Sequence, residues 1–354
     1  MGRSLQINPE YIQKVKSALP VNGYPSQQAL ATDSGVSLST VKTFLKGQPI
    51  DRLNFEELCK KLGLDWQKIA LKEIPTTAGE ASPFITGAPI TQPRYFFGRE
   101  KELKRLFNLL KRHPLQNAAI IGKKRSGKTS LLHYLKNITI TAPKQLRPGQ
   151  KSDWLPHPDK YQWVFVDLQD ARMQSQEGLL KHILESLQMK VPIPCDLDHF
   201  MDVVSDNLSF PTVILLDEIG VGLQRCPELD DTFWESLRSL ATNQTKGNLA
   251  FILATPESPL ELVKNTGHSS PFFNIFGYTA YLEALTEAEA RELITSSPIP
   301  FSEVDIEWIL QESKCWPLLL QILCRERLFS LEEGETDDSW REEALRQIQP
   351  FVNL

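Results

Sequence analysis

The apolar positions of the chain follow two rhythms. From residue 117 to residue 255 they gather in short unbroken runs, NAAII, WVFVDL, TVILLD and LAFILAT, separated by longer stretches where apolar residues recur every three or four positions. Unbroken runs of this length are buried on both faces, so they predict strands of a mostly parallel sheet covered by helices, an α/β arrangement. Beyond about Leu285 only the helical rhythm remains, in EAEARELI, VDIEWILQE and PLLLQILCRERL, which predicts a small helical subdomain. Before residue 72 the segments are short and amphipathic. Between the two lies KEIPTTAGEASPFITGAPITQPR, rich in Pro, Gly and Thr and without sustained periodicity, which reads as a linker. The expected division is therefore 1–72, a linker over 73–93, a core over 94–284 and a helical lid over 285–354.

Composition narrows the classes. With 354 residues, 41% hydrophobic and 23% charged, the chain is long enough for two or three globular domains and is neither disordered nor fibrous. No apolar stretch approaches the roughly 18 to 20 residues of a spanning helix, and the first residues lack a signal-peptide core, so the expected location is cytoplasmic, with no membrane partner. Five cysteines without paired spacing read as reduced thiols. Charge is uneven: residues 1–72 hold ten basic against six acidic side chains, net +4, which leaves −9 on the rest of a chain whose total is −5. A basic module on an acidic chain points to a polyanion partner for that module alone.

Within that module, Ser26 caps a helix through Ala29, Leu30 and Ala31, Gly35 allows a tight turn, and Ser37 caps a second helix ending near Lys46, before Gly47 and Pro49. Leu30, Val36, Val41 and Phe44 form the expected shared core. Leu38, Ser39, Thr40, Lys42 and Thr43 then fall on the outward side, the kind of small polar and basic groups that reach base edges and phosphates in a major groove. Residues 8–71 resemble the lambda-repressor-like (XRE-type) helix-turn-helix. That resemblance implies that Gln27 touches DNA backbone phosphate and that Leu38, Ser39, Thr40 and Thr43 face the groove. The outer face is lean in Arg and Asn, and the competing reading is an all-α protein-binding adaptor.

The strongest chemical signal follows NAAII. Gly122, Lys123, Lys124, Arg125, Ser126, Gly127, Lys128 and Thr129 match GxxxxGK[ST] in full, between a predicted strand and a helix that begins with Ser130. The glycines let backbone N–H groups wrap phosphate oxygens at a helix N-terminus. Lys128 would offset β- and γ-phosphate charge, and Thr129 would offer its hydroxyl to Mg2+. A second strand, TVILLD, ends at Asp217 and Glu218, where ligands collect in open α/β sheets. Asp217 is the expected second Mg2+ residue and Glu218 the expected base for water. Thr255, at the end of LAFILAT, either senses the γ-phosphate or caps the next turn. Arg238 is a candidate arginine finger, with a solvated helix position as the alternative.

Together FGREKEL, GKKRSGKT, VILLDE, FILAT, residues 269–294 and CWPLLLQ make residues 94–330 resemble the P-loop ATPases of the AAA+/STAND group, in their archaeal-type branch. The resemblance implies an α/β P-loop NTPase core with a C-terminal helical lid, ATP and Mg2+ as cofactors, and self-assembly on ATP binding. It places FGRE, and with it Arg99, at the adenine pocket. It also places Pro317 of a GxP-like lid motif against the nucleotide, with Cys315 standing where that motif has glycine. The helix-turn-helix combination resembles cyanobacterial signalling or defence ATPases. The leading expectation is an ATP-dependent switch coupled to DNA binding. The alternatives are a STAND-type signalling or antiviral-defence ATPase whose first module is a protein adaptor, and a DNA-remodelling or transposition-helper AAA+ ATPase. No effector domain is legible, so output is expected to pass through DNA, self-assembly or an unidentified protein partner.

Overall fold

The structure is a computed structural model and describes residues 4–5, 7, 11–47, 50–69, 82–335 and 337–352. The chain forms two compact units that divide between Ala81 and Ser82. In the first, β1 (Ser4–Leu5), α1 (Ile12–Val21), α2 (Gln27–Ser34), α3 (Leu38–Leu45), β2 (Ile50–Asp51), α4 (Arg52–Lys61) and α5 (Trp66–Ile69) follow in order, with β1 and β2 paired antiparallel. The Ser26 hydroxyl accepts from the Ala29 N–H at 3.2 Å and that of Ser37 from the Thr40 N–H at 3.2 Å. Each such cap contributes about 1 kcal/mol. Gly35, at φ +68°, turns α2 into α3. Leu30, Val36, Val41 and Phe44 are buried together as expected, joined by Phe55 and Leu58 of α4, and the Phe44 and Phe55 rings meet edge to face at 5.2 Å. Gln48, Pro49 and residues 70–81 lie outside the described residues.

The second unit is built on α6 (Glu100–Leu110), β3 (Ala118–Ile121), α7 (Lys128–Asn137), β4 (Gln162–Asp167), α8 (Gln176–Ser186), α9 (Leu197–Asn207), β5 (Thr212–Asp217), α10 (Ile219–Arg225), α11 (Asp231–Ser239), β6 (Leu249–Thr255), α12 (Pro259–Thr266) and β7 (Tyr278–Tyr281). Among its described residues the strands form one parallel sheet in the order β4-β5-β6-β3-β7. The four apolar runs are four of these strands. Every residue of β3, β5 and β6 is buried, which is why they read as unbroken apolar runs. Two separate apolar cores lie against the sheet, one containing α6 and α7 and the other α8, α9, α10 and α11.

The fifth strand, β7, is four residues at the sheet edge with only Ala280 buried, so it has no apolar run to announce it. After it come α13 (Glu287–Ile294), α14 (Glu303–Ser313), α15 (Pro317–Glu332) and α16 (Ser339–Ile348), which share a third core. Residues 82–93, which composition marks as linker, are instead a strap packed into this second unit. Phe84 is buried in the helical core, the Ile85 N–H donates to Gln321 Oε1 at 2.9 Å, and the Ile90 N–H donates to Ser130 Oγ at 3.0 Å. One buried aromatic ring, contributing roughly 1.5 to 3 kcal/mol, and a few hydrogen bonds are enough to order a segment that has no periodicity of its own.

Candidate nucleotide site

The loop after β3 folds as its residues require. Gly122 leaves the sheet with its N–H on the Thr255 carbonyl at 3.2 Å, and a Cβ there would run into Ser126 Oγ and sit 3.0 Å from the Leu282 carbonyl oxygen. Gly127, at φ +94°, is the N-cap of α7; no atom crowds it, so backbone conformation alone selects glycine. Between them Arg125 also takes a positive φ, +67°. The loop closes on itself through the Ser126 N–H to the Lys123 carbonyl at 3.2 Å, which leaves an open ring of backbone over the N-terminus of α7. Lys128 bends back across this ring, donating to the carbonyls of Gly122 at 2.8 Å and Lys123 at 3.1 Å. Burial pulls its ammonium below the ordinary lysine range, and nearby Glu218 and Asp217 partly offset that.

β5 delivers the acids. Asp217 is 3% exposed, and its Oδ1 has no hydrogen-bond partner. Burial pushes this carboxyl up to about 6, against the opposing hydrogen bond from Thr129. A buried carboxylate oxygen without a partner, beside a hydroxyl, is a hard-oxygen donor pair of the kind Mg2+ takes, so Thr129 and Asp217 fit the ion. Glu218 opens α10 from the left-handed region, φ +53° and ψ +40°, and lines the cavity. Asp217 is reached across β6, which lies between β3 and β5.

The cavity encloses about 310 Å³. It is lined by Lys124, Arg125, Ser126, Gly127, Lys128, Thr129 and Ser130 with Glu218, by strap residues between Ile85 and Ile90, and by Leu293, Pro317, Leu318 and Gln321 of the helical part. Arg99 also lines it, buried, with its guanidinium on the Glu283 carbonyl and, at 3.5 Å, the Ser126 carbonyl. Its own N–H donates to Glu289 at 2.6 Å. Arg99 thus ties the phosphate loop to the start of the helical part.

Some expected residues are placed differently. Ser130 reaches the cavity, but its hydroxyl holds the strap. Lys123 is exposed, with Nζ 5.9 Å from the centre of the Trp316 ring. Thr255 is fully buried beneath the loop, does not line the cavity, and accepts from the Glu257 N–H at 3.5 Å, the turn-capping arrangement. Arg238 is an exposed helix residue. Gln169, Gln321 and the strap line the cavity without having been expected there. A signal for Gln321 is present, since it lies one helical turn beyond Pro317 on the same face.

In the first unit, Gln27, Ser39 and Lys42 are exposed, while Thr40 and Thr43 are half-buried. Thr43 donates its hydroxyl to the Ser39 carbonyl at 2.9 Å, and Ser37, Ser39 and Thr40 share hydroxyl contacts at 2.8 Å. Leu38, expected outward, is half-buried and packs against the core that holds Val41 and Phe44.

This sheet and loop make the α/β P-loop NTPase fold. Known structures agree on the fold. The Walker-type ATPase of Pyrococcus abyssi is similar over 77% of both chains, with 16% identity and a TM-score of 0.52. The ORC2 protein of Aeropyrum pernix, solved in ADPNP and ADP complexes, is similar over 75% of this chain and 71% of its own, with 16% identity and a TM-score of 0.55. The ORC1 protein of the same organism, solved with DNA, covers 72% and 66%, with 14% identity and a TM-score of 0.51. The sequence matches no family profile and no curated protein. Among the described residues no helix is long and apolar enough to cross a membrane.

Proposed function

We propose that the protein binds ATP in this cavity, hydrolyses it slowly, and uses the bound state as a switch coupled to DNA binding by residues 1–72. One observation carries the nucleotide reading: Lys128, Asp217 with its Oδ1 unpartnered, and Glu218 converge on a glycine-shaped loop at the open end of a parallel sheet. Backbone N–H groups of the loop and Lys128 hold the triphosphate. Thr129 and Asp217 would hold Mg2+, which would supply neutralisation of the phosphate charge. Glu218 orients a water and takes its proton as the water oxygen attacks γ-phosphorus and the bond to the leaving ADP oxygen breaks. The cavity is walled by both the sheet loops and the helical part, so the γ-phosphate biases their arrangement.

Titration calorimetry and phosphate release test this together. Lys128→Ala should remove ATP binding, and Glu218→Gln should keep it while lowering turnover by at least about a hundredfold. Wild-type turnover by Glu218→Gln would remove Glu218 as the base. The DNA half rests on the helix-turn-helix geometry of α2 and α3, on the +4 charge of residues 1–72, and on likeness in fold to a protein solved with DNA.

A further inference from the structure

Gln321 sits on α15 at 4% exposure and lines the cavity together with the phosphate loop. Its Oε1 accepts from the Ile85 N–H at 2.9 Å. A backbone N–H only donates, so this bond fixes which way the amide faces: the oxygen is committed to the strap and the NH2 group is turned away from it. Among the described residues that NH2 group donates no hydrogen bond, and it is not one of the fully buried atoms left without a partner, so it keeps an open approach on a residue that is otherwise buried and lines the cavity. The same cavity is also lined by the apolar side chains of Ile85, Ile90, Leu293, Pro317 and Leu318, together with Thr86. With phosphates on the loop, what remains for the apolar part of the lining is the flat base of the nucleotide.

We infer that Gln321 reads the base, its amide NH2 donating to a ring-nitrogen acceptor of adenine. The inference rests on the nucleotide reading above and adds a specificity residue to it. The strap has a part in this: by holding Oε1, Ile85 orients the donor before the nucleotide arrives, which spares an ordering cost on binding. A site built to donate one hydrogen bond rejects a ligand without the acceptor, because the donor is then buried unpaired.

The test uses the full chain, titrated calorimetrically with MgATP, inorganic tripolyphosphate and three ATP analogues in which N1, N3 or N7 of adenine is replaced by CH. The expected result on the wild-type protein is that one analogue binds about tenfold or more weakly than ATP while the other two match it. Gln321→Met should lose a similar factor for ATP, bind that analogue no worse than ATP, and bind tripolyphosphate as the wild type does. If all three analogues bind the wild-type protein as tightly as ATP, the inference is overturned without any variant being needed. It is also overturned if Gln321→Met binds ATP with wild-type affinity, or loses ATP and tripolyphosphate alike, which would make Gln321 a structural residue only. Should the wild-type protein bind neither ATP nor tripolyphosphate, the nucleotide reading itself falls, and this inference with it.

Discussion

Arg99, Arg125, Glu218 and Cys315 all carry positive φ, between +53° and +67°, and they surround the same cavity or lead into it. A residue with a Cβ pays about 1 to 2 kcal/mol in that region, so its concentration around one site marks geometry imposed by the surroundings. Three of the four are side chains the site uses. Cys315 is the exception: its N–H donates to Ser313 Oγ at 3.1 Å and its carbonyl accepts from the Leu285 N–H at 2.9 Å, which fixes the turn ahead of Pro317, while its thiol does no chemistry there. Cys315→Gly is therefore expected to stabilise the second unit by about 1 kcal/mol, seen as a rise in the urea midpoint at unchanged slope. A lower midpoint would show that the thiol packs better than the backbone strains. Gly122 and Gly127 were legible in the sequence because their reasons are local. The positive φ of Arg99 and Glu218 was not, since neither side chain advertises it.

The helical part is held by more than its apolar core. Asp305 of α14 is 3% exposed and pairs with Arg327 of α15 at 3.1 Å and Arg341 of α16 at 3.2 Å, while Ser302 Oγ donates to it at 2.7 Å. One carboxylate thus pins three helices, and Arg341 also lies 5.4 Å from the Trp308 ring centre. Removing one member of a buried ion network leaves the others unpaired. Asp305→Ala should destabilise the second unit by about 3 to 5 kcal/mol, read by denaturant unfolding, and a loss below 1 kcal/mol would contradict this role. Of these helices α14 and α15 were legible from their apolar spacing in VDIEWILQE and PLLLQILCRERL. The network was not, because Asp305 and Arg341 are 36 residues apart and each alone reads as an ordinary surface charge.

For the whole molecule, the open question is whether nucleotide state reaches DNA. A mobility shift at fixed salt, using the Glu218→Gln protein with ATP and the wild-type protein with ADP, should show tighter DNA binding in one nucleotide state than in the other. Molar mass measured alongside should rise on ATP binding if assembly is part of the switch, since a single +4 module makes few phosphate contacts. Absence of DNA binding in every state would assign residues 1–72 to protein recognition instead. The exposed positions of Gln27, Ser39 and Lys42 supply the next substitutions, whereas Leu38 is half-buried against the core and would also report on folding.

What neighbouring residues along the chain could specify was readable from order alone: the phosphate loop, four of the strands, the helix caps at Ser26 and Ser37, and the pair Asp217 and Glu218. These depend on turn chemistry, period and burial within a window of about ten residues. Packing was needed for the strand order, which inserts β6 between the loop strand and the acidic strand, for the edge strand β7, and for the strap over 82–93. Those features arise from contacts across long separations, such as the 236 residues between Ile85 and Gln321, where no periodic signal reaches and only the filled interior chooses the partner.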